Sequence, residues 1–265
     1  MLPLSTAGRR PLASSPTEHR YRGFDGADLA WHELGEGRPV VMIHGYMSDA
    51  NTNWVRFGHA AKVASAGFRV IMPDLRGHGA SARPHDVAAY PPDALTKDAF
   101  ALLEQLGLGD DYDLVGYSLG ARTMGRMLAL GAKPKRLVFS GMGLDGLTHA
   151  NRRADHFRRI LDGLGSFEKG SPQWMVEAFL KTTKGDPVAL RRIIDTFVDT
   201  PIERVRGITA PTLVLCGDED TDNGSAPELA AAIPGATLVE TPGGHMSAVT
   251  KPELGDALAA FLSAG

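Results

Sequence analysis

Apolar residues arrive in short continuous runs, each followed by glycine or a turn former: PVVMIHG (39–45), FRVIMPD (68–74), YDLVGYS (112–118), RLVFSG (136–141), TLVLCGD (212–218) and ATLVETPG (236–243). Uninterrupted runs of this length suit strands covered on both faces, as in a parallel sheet. Ahead of them, HRYRGF, a turn at Asp25-Gly26 and DLAWHEL alternate and predict an antiparallel hairpin. Between the runs the period lengthens. Leu95, Ala99, Leu102, Leu103 and Leu106 fall on one side of a helix, and the stretches Leu119–Leu130 and Glu253–Leu262 show the same spacing. Strands alternating with helices after an antiparallel start predict an α/β three-layer sandwich: a mostly parallel sheet with helices on both faces.

The alternation stops between residues 144 and 203. Three helical patterns, Asn151–Leu164, Pro172–Thr183 and Pro187–Val198, follow one another with no strand between them. Such an insert reads as a helical cap over the carboxyl ends of the strands, where open α/β sheets place their sites. The core is then 18–143 together with 204–265. From Leu144 to Arg204 ten Lys or Arg face nine Asp or Glu, so the cap is nearly neutral. Its Phe157, Phe167, Trp174, Met175, Phe179 and Phe197 read mainly as helix packing.

Composition adds limits. The chain has 265 residues, 43% hydrophobic and 22% charged, with a formal net charge of −3. No basic run marks a nucleic-acid or anionic-membrane surface, and no apolar run is long enough to span a bilayer. The single Cys216 lies inside an apolar run and reads as a buried strand residue; no intramolecular disulfide is possible. Residues 1–17, rich in Pro, Ser and Arg, read as a poorly ordered leader; they lack a signal-peptide core, so a cytoplasmic location is the default expectation.

The candidate chemistry begins at GYSLG (116–120). Ser118 follows a strand and opens a helix, the context in which G-x-S-x-G carries meaning. A serine nucleophile needs a base, and the base an orienting acid. Of nine histidines, His245 stands out in Pro242-Gly243-Gly244-His245, a loosened loop after the last strand. The acid is expected after the preceding strand, in GDED (217–220). Asp220 is the choice, with Asp218 and Asp222 close by and Asp145 a substitute beyond RLVFSG.

Taken in order, HGY (44–46), DLRGHG (74–79), GYSLG (116–120), GDED (217–220) and GGH (243–245) resemble the α/β-hydrolase fold family from the opening hairpin to the final helix. The likeness is to its carboxylesterase-like serine hydrolases with a small helical cap. The resemblance implies an oxyanion hole built from the backbone N–H groups of Tyr46 and Leu119. It also implies that His44 is a structural residue of its loop and that Asp74 and Arg76 brace neighbouring loops. Family members that dehalogenate or open epoxides use aspartate, because their alkyl-enzyme ester must form on a carboxylate; Ser118 argues against both activities.

The expected function is acyl transfer to water on a small or medium neutral ester or lactone, needing neither metal nor organic cofactor. The sequence has no HExxH, no paired CxxC and no phosphate-binding loop. Met47, Tyr117, Met142, Trp174 and Met246 are the candidate substrate-pocket residues. Carbon–carbon bond hydrolase, thioesterase and perhydrolase chemistry on the same three side chains stay open, as do a cofactor-free lyase or oxygenase and a ligand receptor on the same fold.

Overall fold

A computed structural model describes residues 15–264. Eight strands, β1 (Thr17–Arg22), β2 (Asp28–Leu34), β3 (Arg38–Ile43), β4 (Phe68–Pro73), β5 (Asp113–Tyr117), β6 (Leu137–Ser140), β7 (Thr212–Gly217) and β8 (Thr237–Thr241), form one sheet. Its order is β1-β2-β4-β3-β5-β6-β7-β8. The pairs β1–β2 and β2–β4 are antiparallel, and every later neighbour is parallel. The hairpin and the parallel body follow the sequence pattern. The leader of residues 1–17 lies mostly outside the described residues, but Thr17 is already paired with Glu33, so β1 begins one residue before the expected boundary.

Because side chains alternate along a strand, each continuous apolar run supplies two faces. Val41, Ile43, Leu114, Phe139, Val214 and the buried Cys216 point to one side. There α2 (Ala94–Gln105), α3 (Leu119–Ala129) and α9 (Ala226–Ala232) cover them with Leu102, Met124 and Leu229. Val40, Met42, Val115, Val138 and Leu215 point to the other, under Val63 of α1 (His59–Ser65) and Leu258 of α11 (Pro252–Ser263).

The 144–203 segment contributes no strand. It carries α4 (Leu144–Thr148), α5 (Ala154–Asp162), α6 (Pro172–Thr182) and α7 (Pro187–Ile194), and α8 (Ile202–Arg206) leads back to β7. Local sequence starts α6 and α7 sharply. Ser171 accepts the Trp174 N–H at 3.2 Å and Asp186 accepts those of Val188 and Ala189, each cap followed by proline at the first helical position. These helices share an apolar cluster of Ala154, Leu161, Leu180, Leu190, Ile194 and Met47. Met47 belongs to the loop after β3, and the neighbouring Tyr46 hydroxyl donates to the Leu190 carbonyl at 2.8 Å. The cap is thereby seated on the loop that follows β3. No helix among the described residues is long and apolar enough to cross a membrane.

Two polar knots hold the loops at the carboxyl edge. Arg76, fully buried, is gripped by Asp98 at 2.8 Å and by Asp25 at 2.7 Å. Asp74, 2% exposed, accepts the Ala50 and Ala80 amides at 2.8 Å and the His32 ring at 3.1 Å. Burial works against its charge, but the His32 hydrogen bond and the Ala50 and Ala80 amides hold the Asp74 carboxyl down at about 2. A carboxylate depressed on folding stabilises the native state above its unfolded pKa and loses that contribution as pH falls through its folded one. Asp74→Asn is therefore expected to cost about 2 kcal/mol at pH 7 and to flatten the acid limb of the stability curve between roughly pH 4 and 2, read by urea unfolding at several pH values.

Candidate active site

Ser118 lies between the end of β5 and the start of α3, with φ 53° and ψ −109°. A left-handed φ on a serine stores about 1–3 kcal/mol of strain and persists only where the surroundings impose it. Here the turn has no room for side chains. A Cβ on Gly120 would sit 2.0 Å from the Ile43 carbonyl oxygen, and one on Gly116 would sit 2.5 Å from the Ala121 nitrogen. Both obstacles are backbone. Gly120→Ala is expected to destabilise by about 3 kcal/mol or more, measured by denaturant unfolding.

Three side chains meet above this turn. Ser118 Oγ lies 3.0 Å from His245 Nε2, and His245 Nδ1 lies 2.8 Å from Asp220 Oδ2. Asp220 can only accept, so His245 carries its proton on Nδ1 and offers the Nε2 lone pair to the serine hydroxyl. Asp220 is 8% exposed. Burial resists its ionisation, but the His245 hydrogen bond and the Asp222 N–H on Oδ1 hold it below the ordinary carboxylate range. The Tyr117 hydroxyl donates to the His245 carbonyl at 2.6 Å and fixes the start of the short α10 (His245–Ala248).

The other carboxylates near this site are engaged elsewhere. Asp218 accepts the Gly243 N–H at 2.8 Å and shapes the loop before His245. Asp222 pairs with Arg153 at 3.0 Å, and Asp145 pairs with Arg152 and His149. Asn223, which no motif singles out, is also present: its Nδ2 donates to the Gly141 carbonyl at 2.9 Å and lies 3.4 Å from Ser118 Oγ. A lone asparagine in a polar loop gives no periodic or motif signal, so only folding reveals it.

Backbone N–H groups in the loop after β3 are accounted for one by one. Gly45 donates to Asn53 Oδ1 at 2.9 Å, Met47 to His78 Nε2 at 3.3 Å and Ser48 to the Gly45 carbonyl at 3.2 Å. The Tyr46 amide between them has no protein acceptor among the described residues, and neither has that of Leu119 in the first turn of α3. His44 and His78 are buried and neutral. Burial pushes His78 down to about 3 and lowers His44, and each accepts a backbone amide while donating to a carbonyl.

Ser118 and His245 open into a cavity of about 300 Å³ under the cap, lined by Met47, Phe57, Tyr117, Phe157, Phe179 and Met246 among others. Two expected pocket residues do not line it. Met142 is 1% exposed, and its sulfur would meet a side chain placed at Gly146. Trp174, in the first turn of α6, does not line the cavity, whereas Val176, Phe179 and Thr182 of the same helix do. The helix start and end were legible in sequence, but its rotation about its own axis was not. Among the described residues no three or more His, Cys, Asp or Glu side chains are grouped to hold a metal ion.

The model of the alpha/beta hydrolase family matches residues 40–255, from β3 into the last helix. The chain belongs to that family. Within the alpha/beta hydrolases it is 39% identical over 97 residues to an epoxide hydrolase of Caballeronia sordidicola, a match covering 37% of this chain and 28% of that protein's length. It is 27% identical to the 2-hydroxy-6-oxo-2,4-heptadienoate hydrolase of Pseudomonas putida, over 74% of this chain and 76% of the relative. An esterase from Rhodococcus sp. ECU1013 shares the fold, with a TM-score of 0.70 and 22% identity, covering 93% of this chain and 98% of that one.

Proposed function

We propose that this alpha/beta hydrolase is a serine hydrolase that cleaves a small or medium carboxylic ester or lactone through an acyl-enzyme. The observation that carries the reading is the unbroken series Asp220–His245–Ser118, at 2.8 and 3.0 Å, facing a largely apolar cavity. In it, His245 Nε2 takes the hydroxyl proton as Ser118 Oγ attacks the acyl carbon, and Asp220 stabilises the imidazolium that results. The uncommitted amides of Tyr46 and Leu119 would receive the developing oxyanion, each donor contributing about 2.7–4 kcal/mol to the transition state. His245 then protonates the leaving group, and water repeats the sequence on the acyl-enzyme.

The likeness to an epoxide hydrolase does not extend to that chemistry, since a hydroxyl at position 118 is no carboxylate on which an alkyl ester could form. Carbon–carbon bond hydrolysis is the second reading, supported by the likeness to the Pseudomonas putida hydrolase over most of both chains. Labelling with a fluorophosphonate probe, followed by p-nitrophenyl esters of increasing acyl length, tests the first reading. Stoichiometric labelling at Ser118 with turnover of short esters is expected. Absence of both would sink it.

A further inference from the structure

Arg122 stands one turn past Ser118 on α3, about 6 Å along the helix, and its amide donates to the Ser118 carbonyl at 3.0 Å. It is 8% exposed, and its terminal nitrogens are not wholly buried. Its Nε donates to the Gly146 carbonyl at 2.9 Å, and its guanidinium lies over the Phe197 ring, 4.8 Å from the centroid. Among the described residues neither terminal nitrogen has an acceptor and no carboxylate pairs with it. Arg76, fully buried, is held by two carboxylates. Burial, with Arg153 nearby, pushes the Arg122 guanidinium down to about 10 against the weaker pull of Asp199.

The unpaired head borders a cleft of about 360 Å³ between α4 and the loop that carries Asp220, lined also by Asn223, Arg152 and Arg153. Asp145 and Asp222 already answer Arg152 and Arg153, and Asp199 acts on Arg122 only through space, so Arg122 is the arginine of the cleft with no carboxylate in contact. The cleft adjoins the active-site cavity. Arg153 and Asp222 line both spaces, and Asn223 reaches from the cleft to within 3.4 Å of Ser118 Oγ.

We propose that Arg122 forms a subsite for the carboxylate of the substrate, seated on its two free terminal nitrogens. Planar bidentate recognition of this kind is what a guanidinium is shaped for. This inference rests on the serine hydrolase reading. The leaving group must lie against His245, which protonates it, so the carboxylate belongs at the far end of the acyl chain. It replaces the neutral substrate expected from the cap's balanced charge, because Arg122 lies outside the cap and its lack of a partner exists only in three dimensions.

Mono-p-nitrophenyl glutarate and p-nitrophenyl pentanoate, matched in length and leaving group, test it. The wild type is expected to favour the glutarate hemiester in kcat/KM by about ten- to hundredfold, and Arg122→Met to lower that ratio at least about tenfold. Calorimetric titration with glutarate is expected to show binding to the wild type that weakens in Arg122→Met. Should Arg122→Met not fold, the wild-type ratio and glutarate titration decide. Ser118-dependent hydrolysis of both esters at rates within about threefold, with no glutarate binding, overturns the subsite and leaves the hydrolase standing. Hydrolysis of neither ester removes the hydrolase reading, and glutarate binding that depends on Arg122 then still supports an anion site.

Discussion

Ser118→Ala is expected to lower kcat on a turned-over ester by about a million-fold, and adding His245→Ala is expected to cost almost nothing more. The reason is geometric. The 3.0 Å contact between Ser118 Oγ and His245 Nε2 makes the two side chains one device, in which the imidazole has no proton to take without the hydroxyl. What survives is catalysis by the free amides and by substrate binding, worth about 10³–10⁴ over water. The comparison of single and double variants under substrate saturation is the measurement. A Ser118→Ala enzyme that keeps wild-type turnover would remove serine from the mechanism. Losses that multiply in the double variant would show that His245 acts on the substrate by another route. Soluble, cooperatively unfolding variants are expected, because alanine at 118 removes only a hydroxyl from a half-buried position.

Asp220→Asn should lower kcat by about 10⁴, less than either of those changes. The carboxylate can only accept from His245 Nδ1, whereas an amide can turn its N–H₂ toward the ring and hold the imidazole with its proton on Nε2. That tautomer has no lone pair for Ser118. Geometry is preserved while the base is disabled, so the loss falls on kcat with KM little changed. Asp218→Asn and Asp145→Asn, whose native partners are the Gly243 amide and the cap residues Arg152 and His149, are expected to act far more weakly. A greater loss at either of them would reassign the acid.

Much of the architecture is readable without coordinates because it rests on short-range regularities. Continuous apolar runs feed both faces of a parallel sheet, the Ser-Pro and Asp-Pro pairs at 171–172 and 186–187 start helices, and the glycines at 116 and 120 mark a turn that admits no side chain. The pocket was less legible. Met47, Tyr117 and Met246 line the cavity, but Met142 turns into the core and Trp174 lies outside the lining. Those outcomes depend on how each element is rotated against its neighbours.

The sequence by itself determined the order of strands and helices, the strained turn at Ser118 and the helical insertion after β6, since propensity and periodicity act within a few residues of chain. Tertiary structure alone decided that three side chains separated by up to 127 positions share two hydrogen bonds. It also decided which carboxylates were already taken, and so that Arg122 was left with none in contact. Charge pairing depends on distance through space, and a linear sequence does not contain that distance.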